Sequence, residues 1–212
     1  MNTFTLSDLR SCLIKHNAFI AHCSGVAKGS GTRTTNALGP LERLQKAICS
    51  DFELSCSTIC KGDSYVKENY MGKIGVILFP KSPDSITLVS ATDAGSWIDP
   101  SLNGRRVIAR KPISINDISD SIIKRASLEY NEICIFSYSV MGVFIDPPVQ
   151  FSTPEGLLAP TDEQIYSCLP GSRFYGLKNG ELCSASYSQD DSRFLYGTRI
   201  DIKDIYSLGL CD

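Results

Sequence analysis

Apolar residues recur at helical spacing in some stretches of the chain and alternate or run together at strand spacing in others. Leu6, Leu9, Leu13 and Ile14 mark one face of a helix that Ser7 can cap and Asn17 ends. Ala18 to Cys23 reads as a short strand, and the Gly-, Ser- and Thr-rich stretch 24–36 as a loop. Pro40 fits the first turn of a second helix, with Leu41, Leu44 and Ile48 on one face. From 52 to 58 the pattern alternates: Phe52, Leu54 and Cys56 point one way, Ser55 and Ser57 the other. Strands are expected at 73–79 and 85–90, joined by a Pro-rich turn, and irregular chain at 91–111. Ile115, Ile118, Ile122 and Ala126 mark a third helix starting at Ser114 or Asn116, and strands follow at 131–137 and 140–145.

Pro147 and Pro148 close this section. Beyond them comes a Pro-punctuated connector, 151–160, and then Thr161-Asp-Glu-Gln164 in the form of a capping box. Asn179-Gly180 between two strand-like runs predicts a type I′ hairpin. Runs of strands broken by few helices predict an α+β fold rather than a doubly wound parallel sheet. The expected division is a catalytic-like core, 1–148, with a small hairpin and helix extension, 149–212, packed on it.

Composition narrows the class. With 42% hydrophobic and 21% charged residues in 212, the chain is neither disordered nor coiled coil. Its longest apolar run, Ile74 to Phe79, is far short of the roughly 18 residues a membrane helix needs. A net charge of -2 gives no global sign of nucleic-acid binding. Nine cysteines, an odd number without any CxxC pair, make a poor disulfide or zinc framework, Cys56 and Cys60 included. Reduced thiols, and an N-terminus without signal-peptide character, lead to an expected cytoplasmic location.

Four places carry candidate chemistry. His22 stands near the end of a strand, beside the Gly/Ser loop, where it can hydrogen-bond a sugar or act as acid or base. Ser55, Ser57 and Thr58 present hydroxyls able to orient a carboxylate. Glu132 opens an apolar strand, where burial is costly unless the carboxylate is paired or functional. Lys28-Gly-Ser-Gly-Thr-Arg33 can receive a phosphate. Cys23 beside His22 looks like a nucleophile with its base, but adjacent strand residues face opposite ways. Asp93 and Asp99 around Trp97 can offer oxygens to a hard cation without forming a recognised loop, and Arg125 and Glu129 can pair across one helical turn. No metal site is expected.

The order of these features, a strand histidine, a Ser/Thr-bearing strand and a late strand opened by glutamate, resembles the mono-ADP-ribosyltransferase superfamily over roughly residues 18–145. Arg125 to Phe136 is similar to the corresponding part of the DarT-like branch, which modifies nucleic acid. The resemblance implies a mixed β core and NAD consumed as a substrate, in the manner of a toxin or effector. ADP-ribose would pass to a macromolecular acceptor, nucleic acid or protein.

It assigns Glu132 to the oxocarbenium-like transition state and His22 to the adenosine-side ribose. Ser57 would orient Glu132, Ser55 and Thr58 would bind NAD beside it, Arg33 would take the pyrophosphate, and Tyr65 or Tyr70 would stand at the nicotinamide. Tyr130, where arginine-modifying branches carry glutamate, disfavours arginine as acceptor. Two alternatives stand beside this. One is a phosphodiesterase or nuclease using His16 or His22. The other is a non-catalytic interaction module presenting the tail aromatics Phe174, Tyr175, Tyr187, Phe194 and Tyr196.

Overall fold

The computed structural model describes residues 1–24, 39–49, 52–63, 73–91, 107–110, 112–124, 131–153 and 156–207. Helix α1 (Leu6–Lys15) buries Leu9, Cys12 and Leu13, whereas Ile14, expected on the same face, is exposed. Its cap is Thr5 rather than Ser7. The Asp8 carboxylate reaches back to the Thr5 N–H at 2.8 Å while the Asp8 N–H donates to Thr5 Oγ1 at 3.1 Å, so two orphan donors satisfy each other. Thr5→Ala is expected to cost about 1 kcal/mol and to lower the thermal midpoint by roughly 2–4 °C, read by calorimetry.

Strand β1 (Ala18–Ser24) follows, then α2 (Gly39–Cys49), which buries Leu41 and Leu44. Next come β2 (Leu54–Cys60), β3 (Ile74–Pro80) and β4 (Ile86–Ser90). The stretch read as irregular contains a further short strand, β5 (Val107–Arg110). Helix α3 (Ile115–Lys124) starts after Ser114, whose hydroxyl and N–H both bond the Asp117 carboxylate. Strands β6 (Glu132–Ile135) and β7 (Tyr138–Ile145) complete this part.

The connector read as plain chain forms a small hairpin, β8 (Phe151–Thr153) with β9 (Gly156–Leu158). Helix α4 (Asp162–Cys168) has the expected Thr161–Gln164 capping box. Strands β10 (Phe174–Lys178), β11 (Glu181–Ser188) and β12 (Arg193–Ile200) precede α5 (Ile202–Ser207). Asn179 and Gly180, at φ 50° and 72°, make the β10–β11 turn.

The fold is mixed α+β. Among the described residues, ten strands form one sheet in the order β12-β11-β10-β7-β3-β1-β2-β6-β4-β5. Every pairing in it is antiparallel except that of β10 on β7. That parallel pairing makes the three tail strands a continuation of the core sheet. Helix α1 lies against β1 and packs on α3 and α5, whereas α2 lies against β1 and β3 and packs on α4. The central strands are therefore enclosed: Phe19, Ile20, Ile59, Val76 and Ile77 are all buried. Among the described residues no helix is long and apolar enough to cross a membrane.

Candidate functional site

Strand β2 is shared between two ladders. Its C-terminal half pairs with β1, from Ala18↔Cys60 to Ala21↔Ser57. Its N-terminal half pairs with β6 on the other side, from Leu54↔Ile135 to Cys56↔Ile133. The two ladders meet around Ser55 to Ser57, and the polar residues gather there.

His22 stands just past the end of the β1–β2 ladder, with Nδ1 2.8 Å from the Ser55 carbonyl oxygen. A carbonyl only accepts, so Nδ1 carries the proton and, in the neutral ring, Nε2 keeps its lone pair. Burial lowers the His22 pKa from its ordinary 6.5, against the opposing effect of the Ser55 carbonyl. The ring is therefore neutral at pH 7 and above.

Glu132 opens β6. Ser55 faces Cys134 across the ladder, so Ser55, Cys134 and Glu132 share one face of the sheet. The Ser55 hydroxyl donates to Glu132 Oε1 at 2.6 Å, and the Cys134 thiol lies 3.7 Å from the same oxygen. Glu132 is only 7% exposed, while Ser55 is open to solvent. The carboxylate thus sits just inside an accessible surface. Its burial requires such hydrogen bonds. Ser55 meets the histidine through its backbone and the glutamate through its side chain. The His22 ring lies beyond the end of the β1–β2 ladder and, by alternation from the Ala21–Ser57 pair, on the other face of the sheet from Glu132.

The hydroxyl expected on Glu132 was that of Ser57. Ser57 is buried and donates its single proton to the Asn131 carbonyl oxygen, which leaves none for Glu132. Thr58, expected beside NAD, is fully enclosed and bonds the Asn131 side chain. Arg33, Tyr65, Tyr70, the Lys28 loop, Asp93, Trp97, Asp99, Arg125, Glu129 and Tyr130 lie outside the described residues.

His16 caps α1 at its C-terminus and meets Ser119 of α3 at 2.9 Å, a contact between helices. Burial pushes the Cys23 thiol up to about 12, so it carries almost no thiolate to act as a nucleophile. The eight described cysteines are free. The tail aromatics mostly pack inward: Tyr166 stacks on Tyr187 with centroids 4.4 Å apart, and Phe194 meets both Tyr187 and Phe174. A shallow depression by the tail hairpin holds Lys61, Glu181 and Arg199, whose charges already pair at 2.8 and 3.1 Å.

His22, Ser55 and Glu132, candidates from the sequence, are thus linked by hydrogen bonds through Ser55, while Asn131, a buried polar residue beside them, has partners distant in the chain and no local mark in the sequence. Comparisons with protein-family models, with curated proteins and with solved structures returned no match.

Proposed function

We propose that the chain is an NAD-consuming ADP-ribosyltransferase with an ADP-ribosyltransferase-like core. The observation that carries this is Ser55, which joins a neutral histidine and a buried carboxylate at one junction of the sheet. The chemistry matches the demands of that reaction. The bond from ribose C1′ to the nicotinamide nitrogen breaks, and its electron pair leaves with neutral nicotinamide. Positive charge then develops on the sugar. A carboxylate fixed beforehand beside that sugar stabilises the charge without reorganising at the moment of reaction. The acidic group beside an oxocarbenium-like centre in glycoside hydrolysis is the same device.

Glu132 takes that role, and Ser55 replaces Ser57 as the hydroxyl that orients it. The Nε2 lone pair of His22 accepts a hydrogen bond from a ribose hydroxyl of NAD. The acceptor is macromolecular. Incubating the protein with adenylate-labelled NAD and a cell lysate tests this, with nuclease or protease treatment of the labelled product. Label that becomes acid-precipitable supports the transfer, and its sensitivity identifies a nucleic acid or a protein. Label that stays soluble with wild-type protein, and no nicotinamide released, overturns it.

A pH profile follows from the histidine. Protonating Nε2 removes the acceptor, so kcat/KM should fall on the acid side with an apparent pKa below the ordinary 6.5, and this limb should be absent in His22→Asn. The same lowered pKa ties stability to pH. The contribution of neutral His22 is complete above its unfolded-state value and is lost as pH falls through the lowered one. Rates and thermal midpoints between pH 5 and 8.5 measure both.

A further inference from the structure

We propose that Asn131 is the positioning residue for Glu132: its side chain locks the start of β6 between β2 and α3, and so fixes where the carboxylate stands against Ser55. Asn131 is fully enclosed and immediately precedes Glu132. Its Oδ1 accepts the Thr58 N–H at 2.9 Å and the Thr58 hydroxyl at 2.8 Å. Its Nδ2 donates to Ser121 Oγ at 3.0 Å, and Ser121 passes its own proton to the Ile118 carbonyl at 2.8 Å. Its backbone carbonyl takes the Ser57 hydroxyl.

These bonds allow one orientation of the amide. A backbone N–H can only donate, so the atom facing Thr58 is the oxygen. The amino group then faces Ser121, whose proton is engaged elsewhere and whose oxygen is free to accept. The peptide entering Glu132 is held from both sides. The β2 residues that hold it, Ser57 and Thr58, lie two and three positions from Ser55 on the same strand. Position along β2 is thereby transferred to the carboxylate. A packed apolar residue would fill the space equally well. The polar network adds a defined place for the strand start.

The proposal rests on the NAD assignment for its kinetic consequence, but its structural half has an independent reporter. The Cys134 thiol lies 3.7 Å from Glu132 Oε1. Burial first, and then the Glu132 and Glu53 carboxylates, hold that thiol up at about 12. If Glu132 shifts away, the thiolate fraction rises and Cys134 alkylates faster at a fixed pH.

The experiment compares wild type with Thr58→Val, Thr58→Ser, Asn131→Ala and Glu132→Gln. It reads alkylation of each cysteine peptide by iodoacetamide at pH 8.5, and kcat and KM for nicotinamide release. Thr58→Val removes one hydrogen bond from the network at constant shape, so it keeps the test alive if Asn131→Ala does not fold. The expected result is faster alkylation of Cys134, toward the Glu132→Gln value, with Cys168, whose thiol is held up by burial and Glu42, unchanged. Nicotinamide release should fall roughly 10- to 100-fold in kcat with KM within about twofold, as for a misplaced group. Thr58→Ser should restore both.

Unchanged Cys134 reactivity in folded Thr58→Val and Asn131→Ala overturns the positioning role, even if wild type is active. Thr58→Val that folds and keeps wild-type alkylation and kcat overturns it in the same way. Faster Cys134 alkylation with no nicotinamide release from wild type sustains the positioning and overturns the NAD assignment instead.

Discussion

Glu132→Gln is expected to lower kcat for nicotinamide release by roughly 10²–10³-fold while leaving KM nearly unchanged, the loss typical of one preorganised electrostatic group. The substitution keeps the shape and the Ser55 contact but removes the charge. In bound NAD the positive charge lies on the nicotinamide ring; as the C1′–N bond breaks it moves to the ribose beside Glu132, so the carboxylate is worth more in the transition state than in the ground state. A rise in KM at constant kcat would instead mean that Glu132 serves only ground-state binding. Ser55→Ala should also lower kcat, by roughly 10-fold, because the carboxylate loses the 2.6 Å hydrogen bond that aims it. Its backbone carbonyl, and with it the contact to His22, is retained.

The largest stability effect is expected at Gly180. The β10–β11 turn docks on the turn that follows β2: the Gly62 N–H donates to the Asn179 carbonyl at 2.8 Å. Gly180 has φ 72°, and a Cβ there would run into the backbone carbonyl of Cys60. Gly180→Ala therefore combines left-handed strain with a clash against main chain that cannot rotate away. A loss of about 3 kcal/mol is expected, lowering the thermal midpoint by roughly 6–12 °C. Gly62 provides the comparison. Its φ is 86°, but nothing lies near an added Cβ. Gly62→Ala should cost only the conformational part, about 1–2 kcal/mol. Calorimetry of the two variants separates clash from strain, and equal losses would contradict the docking account.

What was legible in the chain follows from how local each signal is. The helix faces at Leu6–Leu13 and Leu41–Leu44, and the Asn179-Gly180 turn, depend on neighbours within a few residues, and they appear where the pattern places them. The N-cap of α1 was equally local. Thr5-x-x-Asp8 is a reciprocal pair immediately before Leu6, whereas Ser7 lies inside the first turn that begins at Leu6 and so cannot be its cap. His22 and Glu132 stood out as polar residues set in apolar strands.

The choice between Ser55 and Ser57 was not readable. Alternation puts both hydroxyls on one face, but which one meets Glu132 depends on the register of β6 against β2, a relation between residues 77 apart. Asn131 was hidden for the same reason, since Thr58 and Ser121 lie 73 and 10 positions away. The parallel seating of β10 on β7 extends the sheet through a connection of nearly thirty residues, with no local mark in the sequence. The four-residue β5 is too short for its alternation to register against its surroundings.

The central claim is that NAD binds where β1, β2 and β6 meet. Amide hydrogen exchange of the Glu132→Gln protein, expected to consume NAD far more slowly than wild type, tests this most directly when measured with and without saturating NAD. The account predicts slowed exchange in 18–24, 54–60 and 131–135, around His22, Ser55 and Glu132, and little change in 181–200. Protection confined to the tail strands, or no protection anywhere at millimolar NAD, would contradict it.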